Sequence, residues 1–367
     1  MADGKQLVCL DDFMARAKDT LPTPVWEYYS SGADEENTLR ENRKAYRRYW
    51  LKPRVLRDVS VIDMATNVLG ERIAMPICIS PTALHGLAHP EAEIATCKAA
   101  AEMGTAMIMS AFSSKSLEEI ATLRPKSIKW QNVYTWSDRE VTKDMIARAE
   151  RAGFKAIVIS VDVPVFGIKR RLTKLGGLAM IITLQSFGNL DKYIGKDLRI
   201  GEHFPPELET SCLASTWKYI AWVKTMTRLP VILKGIMTVE DALLAAEHKV
   251  QGIVVSNHGG RQLDGVPASI DVLSDIVDAV GDRLEVYVDG GIRTGTDVLK
   301  ALALGARAVF IGRPVVYGLT SNGEEGVKTV LQILGDELSR AMALTGCSRI
   351  SDISRDLLSK ADQWSKL

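Results

Sequence analysis

The sequence of 367 residues has few cysteines and no excess of charge of either sign. Its five cysteines, at positions 9, 78, 97, 212 and 347, form no Cys-x-x-Cys pair. This pattern argues against a disulfide framework or a zinc site and favours a reducing compartment. Because 46 Lys and Arg residues balance 45 Asp and Glu residues, no overall charge draws the chain to nucleic acid or to an acidic membrane surface.

Several sequence signals are also missing. No apolar run reaches the roughly 18 residues of a membrane-spanning helix, and the N-terminus lacks the apolar centre of a signal peptide. Neither G-x-G-x-x-G after a strand pattern nor G-x-x-x-x-G-K-[ST] occurs, so the sequence gives no support to a Rossmann or P-loop nucleotide site. His85 and His89 are four residues apart, but Pro90 follows them and no H-E-x-x-H is present. We therefore predict no metal site.

From residue 74 onward the sequence repeats one pattern, in which a short apolar run is followed by a polar turn and, in most cases, by a helical pattern. The predicted strands are 76–80, 106–110, 128–134, 155–161, 230–234, 252–257, 285–289 and 307–311. The predicted helices include 116–123, 139–152, 239–248 and 297–304. Continuous apolar strands are typical of parallel sheets that are covered on both faces. Eight such units predict an α/β fold, a closed (β/α)8 TIM barrel.

Two segments lie outside this repeat. Residues 1–70 predict helices followed by an irregular stretch, which we interpret as an N-terminal cap over one end of the barrel. Residues 163–215 form a long connection after the fourth strand, and connections of that length inside a compact domain are usually lids or mobile segments. Since no Gly/Ser-rich or Pro-rich linker divides the chain, residues 1–367 are predicted to form a single domain.

The residues that follow the sixth strand give the strongest local signal. In TIM barrels the working residues lie at the C-terminal ends of the strands. Here the sequence continues as SNHGGRQLDG (256–265), which places His258 and Arg261 three residues apart with two glycines between them. The histidine could act as a base near neutral pH, and the planar guanidinium could bind a carboxylate. The glycines would let a substrate approach the backbone.

Other strand ends also carry polar residues. Asp162 follows the fourth strand and could orient His258 and stabilise its protonated form, or it could cap the next helix. Lys234 closes the fifth strand and could neutralise an anionic cofactor or form a Schiff base. Glycine-rich turns with one arginine each follow the last two strands, at Arg293 and Arg313. This pair of turns is the usual phosphate site of the barrel.

The final three residues are Ser365, Lys366 and Leu367. This tripeptide at a C-terminus is the address that the peroxisomal import receptor reads. We therefore expect the protein to be located in the peroxisome.

With these residues assembled, the sequence resembles the FMN-dependent (S)-2-hydroxy acid oxidases, the glycolate oxidase family, and most of all its animal peroxisomal members. The resemblance extends over residues 7–162 and 216–355. The motifs that carry it are YYSSGA (28–33), PTA (81–83), SNHGGRQLDG (256–265), DGGIRTGTDVLKALALGA (289–306) and IGRP (311–314).

The resemblance implies a role for each matching residue. His258 is the base, Asp162 is its partner, Arg261 binds the substrate carboxylate, and Tyr28 and Tyr134 form hydrogen bonds with the substrate. Lys234 stabilises negative charge on the flavin. The remaining residues implied to contact FMN are Thr82, Ala83, Ser110, Asn132, Ser160, Ser256, Asp289, Gly291, Arg293, Gly312 and Arg313, with the residues from Asp289 onward assigned to the ribityl phosphate.

The sequence departs from the family pattern at four places. Asn132 stands where the family usually has glutamine, and Lys169 stands where it has a second carboxylate-binding arginine, a role for which Arg170 could substitute. The loop 171–210 does not match the lid of the family. Phe112 replaces the tryptophan of short-chain glycolate oxidases, and this smaller ring favours longer substrates.

The resemblance predicts an enzyme that oxidises (S)-2-hydroxy acids to 2-oxo acids, reduces O₂ to H₂O₂, and assembles as a homotetramer or a larger oligomer. Two alternatives stay open at this stage. One is a dehydrogenase of the same family that uses another electron acceptor. The other is a flavin-binding protein whose activity is reduced through the altered loop 163–215.

Overall fold

The computed structural model describes residues 6–123, 127–182, 187–193 and 215–360. Three helices open the chain: α1 (Leu10–Thr20), α2 (Thr23–Ser30) and α3 (Asn37–Lys44). Three short strands follow, β1 (Tyr49–Leu51), β2 (Thr66–Val68) and β3 (Glu71–Ile73), of which β2 and β3 form an antiparallel pair. The division of the chain into domains stays a prediction.

Eight parallel strands form a closed barrel, which confirms the predicted fold. The strands are β4 (Ile77–Ile79), β5 (Met107–Met109), β6 (Lys129–Tyr134), β7 (Ala156–Ser160), β8 (Val231–Ile236), β9 (Gly252–Val255), β10 (Glu285–Asp289) and β11 (Val309–Ile311). The last strand, β11, pairs with β4 and closes the barrel. Each strand lies at the position predicted from its apolar run, with shifts of at most two residues at the ends.

Helices surround the barrel. They are α4 (Ala92–Glu102), α5 (Leu117–Leu123), α6 (Arg139–Arg151), α7 (Arg170–Thr173), α8 (Gly177–Ile182), α9 (Trp217–Met226), α10 (Val239–Glu247), α11 (Ser269–Val280), α12 (Gly295–Ala303) and α13 (Arg313–Leu344). The final strand, β12 (Leu358–Lys360), pairs with β1. In the described part of the chain, no helix is both long enough and apolar enough to cross a membrane.

Polar side chains determine where several of these helices begin. The side chains of Asp138, Thr238 and Thr294 each accept a hydrogen bond from a backbone N–H in the first turn of α6, α10 and α12, respectively. These bonds satisfy donors that have no partner within the helix. As a result, the connections between strand and helix are short and end at defined residues.

Aromatic side chains fill part of the barrel interior. The rings of Trp130, Tyr287 and Phe310 pack with centroids 5.5 to 5.6 Å apart, and all three residues are buried. A barrel interior packed in this way is a core rather than a pore. Open space is therefore found at the C-terminal ends of the strands.

The N-terminal segment is fastened to the loop that follows β9. The backbone N–H of Ala33 donates to the carbonyl of Gly260 at 2.8 Å, and that of Thr38 donates to the carboxylate of Asp264 at 2.7 Å. The amides of Asn42 and Asn257 form two reciprocal hydrogen bonds of 2.8 Å. The cap therefore packs over the strand end that carries His258.

Two glycines in this loop offer a matched test of cap docking. Both Gly260 and Gly265 have positive φ angles, of +73° and +85°. A Cβ on Gly260 would lie 2.6 Å from the backbone nitrogen of Leu39 in the cap, whereas a Cβ on Gly265 would have no neighbour within 4 Å. We expect Gly265→Ala to lower the free energy of unfolding by about 1–2 kcal/mol through backbone strain alone. We expect Gly260→Ala to lower it by at least about 3 kcal/mol, because the cap must also move.

Urea unfolding followed by circular dichroism measures both losses. Equal losses in the two variants would show that the contact between Gly260 and Leu39 does not hold the cap.

Candidate active site

A cavity of about 490 Å³ lies at the C-terminal ends of the barrel strands. The predicted site residues that line it are Tyr28, Thr82, Ala83, Ser110, Phe112, Tyr134, Ser160, Lys169, Lys234, His258, Arg261, Asp289, Gly291, Arg293, Gly312 and Arg313. The structure thus brings together side chains from the cap, from the ends of all eight barrel strands and from the loop after β7. Within the described ranges, no three His, Cys, Asp or Glu side chains lie close enough together to bind a metal ion.

His258 and Asp162 form a pair beside the cavity. His258 Nδ1 lies 3.1 and 3.0 Å from the two carboxylate oxygens of Asp162. Burial acts to raise the pKa of the Asp162 carboxyl, but the charge and hydrogen bond of His258, with Lys234 nearby, outweigh burial and hold this pKa below its ordinary value. The carboxylate is therefore ionised and accepts a hydrogen bond from Nδ1–H. This arrangement leaves Nε2 of His258 free to act as a base.

The backbone at His258 adopts an uncommon conformation. Its φ angle is +57°, and Gly259 and Gly260 follow with +65° and +73°. A left-handed conformation is strained for a residue other than glycine and is found most often at functional sites. The backbone N–H of His258 donates to Ser256 Oγ at 3.1 Å, which stabilises the start of this turn.

Gly235 is a site residue that sequence reasoning missed. It follows Lys234 in β8 and has a φ angle of +112°, and a Cβ there would lie 2.5 Å from Cβ of Asp162. The register between β8 and β9 also shifts between Lys234 and Ile236. Only glycine leaves room for Asp162 beside His258. A Lys-Gly pair closing a barrel strand is the sequence signal that could have indicated it.

Arg261 faces the cavity while it is fastened to the cap. Its Nη1 donates to the carbonyls of Tyr28 and Ser31 at 2.7 and 3.0 Å, and its guanidinium lies 5.3 Å from the ring centroid of Tyr28. Within the described part of the chain, no carboxylate forms an ion pair with it. This orientation leaves nitrogens of the guanidinium available for an anionic ligand.

Lys234 is buried and paired. Its Nζ lies 3.0 Å from Asp289 Oδ2 and donates to Ser256 Oγ at 2.9 Å, and Ser80 Oγ donates to the same oxygen of Asp289 at 3.1 Å. A Schiff base requires a neutral amine, whereas the buried carboxylate of Asp289 stabilises the ammonium form of Lys234. Of the two predicted roles of Lys234, the structure therefore favours neutralising an anionic cofactor. Because a carboxylate repels phosphate, Asp289 is better suited to accept a hydroxyl hydrogen than to bind a phosphate.

Two partly buried arginines form the other end of the cavity. Arg313 begins α13 and donates to the carbonyls of Tyr29, Gly259 and Ser31 at 2.8 to 3.0 Å. Burial, followed by the neighbouring Arg261, lowers the pKa of Arg313 to about 9. Burial also lowers the pKa of Arg293, whose Nε is buried without a hydrogen-bond partner among the described residues. Partly buried cations with an unsatisfied donor near a helix N-terminus suit a phosphate group.

The comparisons with known proteins agree with this geometry. A sequence profile described as FMN-dependent dehydrogenase matches residues 17–360. The chain belongs to this family. 2-Hydroxyacid oxidase 1 of Homo sapiens is 44% identical over 363 residues, which cover 97% of each chain. The peroxisomal (S)-2-hydroxyacid oxidase of Arabidopsis thaliana is 47% identical over 354 residues, or 96% of each chain.

Solved structures give the same result. Mandelate oxidase with (S)-4-hydroxymandelic acid superimposes with a TM-score of 0.88 at 39% identity, and the match covers 96% of this chain and 98% of that chain. The predicted family, and FMN as its cofactor, are confirmed. The roles of individual site residues stay predictions.

The cavity fits the cofactor of the FMN-dependent dehydrogenases. The partnerless Nε of Arg293 and the phosphate-suited Arg313 would hold the phosphate. The buried Oδ1 of Asp289, which has no hydrogen-bond partner in the described part of the chain, would accept a hydrogen bond from the ribityl chain. Lys234 would supply positive charge beside the ring.

Two predicted cofactor residues do not line the cavity. Asn132 donates to Ser160 Oγ at 3.0 Å and to two strand carbonyls, because its short side chain stays within the barrel layer. Ser256 is fully buried, where its Oγ accepts from Lys234 and from the backbone of His258. Ser256 therefore positions other site residues rather than facing the cavity.

Arg170 does not substitute for the second carboxylate-binding arginine. Its guanidinium is exposed and forms ion pairs with Asp34 and Glu35 of the cap. Lys169, the residue before it, lines the cavity instead.

Gln262 is a second residue that sequence reasoning missed. Its Nε2 donates to the carbonyls of Asp162 and Val165 at 3.1 and 2.7 Å, and its Oε1 accepts from the backbone of Gly167 at 3.2 Å. These bonds join the turn after β9 to the loop after β7, and they hold the segment that leads to Lys169. Its place directly after Arg261 in the 256–265 motif was the available signal.

Proposed function

We propose that this chain is an FMN-dependent oxidase that converts (S)-2-hydroxy acids to 2-oxo acids and reduces O₂ to H₂O₂. The observation that carries the proposal is that a histidine–carboxylate pair and Arg261, which is suited to bind a carboxylate, adjoin the same cavity as two partly buried arginines that are suited to bind phosphate. The printed names of the relatives, which are hydroxyacid and mandelate oxidases, support the same reaction.

Each side chain has a defined part in this reaction. Arg261 and Lys169 bind the substrate carboxylate, and the hydroxyls of Tyr28 and Tyr134 donate hydrogen bonds. Burial raises the pKa of both tyrosines, so they stay protonated in the physiological range. Nε2 of His258 accepts a proton from the substrate, and Asp162 stabilises the resulting imidazolium. FMN, when bound, supplies the acceptor for the two electrons.

An anaerobic titration of the FMN-loaded protein tests the proposal. We expect (S)-2-hydroxy acids to bleach the flavin absorbance and O₂ to restore it with the release of H₂O₂. Reoxidation by an artificial acceptor but not by O₂ would favour a dehydrogenase. Flavin that stays oxidised with every acid would favour a protein that only binds flavin.

The cavity wall supports a preference for longer acids. Phe112 packs against Tyr134 and Phe187, with ring centroids 5.1 and 5.9 Å away, and Leu172 and Leu178 continue the apolar lining. An apolar wall of this kind favours a hydrocarbon side chain over glycolate, which has none. Faster flavin reduction by glycolate than by C6–C12 acids would contradict this preference.

We further propose a peroxisomal location and a homotetramer or larger assembly. The peroxisomal relative from Arabidopsis thaliana supports the location. The signal itself, residues 365–367, lies outside the described residues. Import that persists after deletion of these three residues would show that they are not the address. Light scattering of the purified protein would determine the assembly.

A further inference from the structure

Lys169 occupies an unusual position for a lysine. It is half-buried, stands immediately before α7 and lines the cavity. Its Nζ donates to the carbonyl of Gly167 at 2.7 Å and lies 5.9 Å from the ring centroid of Phe166. An ammonium group has three donors, so Lys169 can bind a further acceptor from within the cavity.

The acidic side chains near Lys169 are already paired with other residues. Asp34 and Glu35 form ion pairs with Arg170, the residue that follows Lys169 in the sequence. Glu27 of α2 and Glu36 pair with Arg171, at 2.5 and 3.3 Å. In the described ranges, Lys169 therefore forms no ion pair with a carboxylate.

The charge that acts on Lys169 is positive, and it is that of Arg261 in the turn after β9. Both residues line the cavity, together with the titratable side chains of Tyr28, Tyr134 and His258, and Asp162 lies behind His258. Burial and then the charge of Arg261 lower the pKa of Lys169 to about 7. An arginine at this position would stay charged at every physiological pH.

We propose that Lys169 makes the binding of substrate carboxylate depend on pH, because its ammonium form binds the carboxylate more tightly than its neutral amine form. This inference rests on the proposed function of the cavity. It extends that function, since it makes substrate affinity, and not only the state of the base, respond to pH.

The direction of the effect follows from the position of Lys169, because burial and the like charge of Arg261 on the same cavity both disfavour the ammonium form, and the nearby carboxylates are paired elsewhere. Below pH 7 Lys169 is mostly charged and the carboxylate meets two cations. Two pH units above 7 about 1% of the lysine is charged, and only Arg261 remains. At that high pH, a carboxylate can bind only if Lys169 takes up a proton or if the carboxylate binds to Arg261 alone. We expect the dissociation constant of a carboxylate to rise at least about 10-fold between pH 6 and pH 9.

His258 has to be controlled for, because an imidazole ordinarily titrates in the same range. Asp162 does not interfere, since its lowered pKa keeps it ionised, and the two tyrosines stay protonated. The matched control is Lys169→Arg, which keeps the positive charge at all pH values and leaves His258 unchanged. Lys169→Met keeps a similar length and removes the charge.

The experiment uses the FMN-loaded protein and 2-hydroxy-2-methylpropanoate, which has no α-hydrogen and cannot be oxidised. Its dissociation constant is measured from the perturbation of flavin absorbance at pH 6, 7, 8 and 9. We expect a rise of at least about 10-fold in the parent protein beyond that seen in Lys169→Arg. Lys169→Met should bind weakly at pH 6, as the parent protein does at pH 9.

The same pH dependence in the parent protein and in Lys169→Arg would overturn the inference, as would the absence of probe binding at any pH. Failure of the proposed function is a separate result. Flavin that is not reduced by any hydroxy acid, in a protein that still binds the probe with the predicted pH dependence, would reject the oxidase and leave the role of Lys169 intact.

Discussion

Replacement of His258 by asparagine is expected to slow anaerobic flavin reduction by (S)-2-hydroxy acids about 10³-fold, while FMN stays bound. A positioned general base contributes on the order of 10²–10⁴-fold, and here the only free nitrogen of the imidazole faces the cavity. Asparagine is the suitable replacement because the φ angle at this position is +57°, which asparagine tolerates better than most residues. His258→Ala removes the same base but adds backbone strain.

Stopped-flow absorbance measures the reduction rate, and the ratio of flavin to protein absorbance measures the FMN content. Agreement between the Asn and Ala variants would assign the loss to the missing base rather than to the turn. A reduction rate near that of the parent protein, with full FMN content, would reject His258 as the base.

Asp162→Asn is expected to slow the same step about 10²–10⁴-fold. The ionised carboxylate accepts a hydrogen bond from Nδ1–H of His258 and stabilises the imidazolium, whereas an asparagine amide carries no charge and can present its own N–H to Nδ1. If both residues act as one unit, Asp162→Asn combined with His258→Asn should be no slower than His258→Asn alone. Additive losses would show that Asp162 acts independently of the histidine.

The lowered pKa of Asp162 also predicts how the free energy of unfolding changes with pH. Because its pKa in the folded protein lies below the unfolded value, Asp162 stabilises the fold above pH 4. This contribution is lost as the pH falls through the lowered value. In acid titrations of stability the difference between the parent protein and Asp162→Asn should therefore shrink as the pH falls below 4.

The barrel could be predicted from the sequence because each strand is a short apolar run bounded by polar turns. Runs such as those of β7 and β8 are buried along their length, and this pattern is independent of distant partners. His258 and Arg261 could be predicted for a similar reason. A TIM barrel places the residues that follow a strand at its C-terminal face. The two glycines between His258 and Arg261 also indicated a turn that a substrate can approach closely.

Side chains whose partners are distant in sequence could not be placed in this way. Arg170 and Lys169 are neighbours, yet only the fold shows that Asp34 and Glu35 bind the arginine and leave the lysine in the cavity. Ser256 likewise lies in a recognisable motif, but its contact with Lys234 comes from the pairing of β8 with β9. Pairing across strands, rather than local pattern, decides which of these polar groups face the ligand.

Arg261 and Arg313 donate hydrogen bonds to carbonyls in the last turn of α2 and to that of Ser31, which follows it, and both arginines line the cavity. These cations repel each other, and an anion between them removes the repulsion. Cofactor loading and attachment of the N-terminal segment are therefore linked equilibria. A chain without FMN is therefore expected to be cut by a protease within this N-terminal segment more readily than the loaded protein.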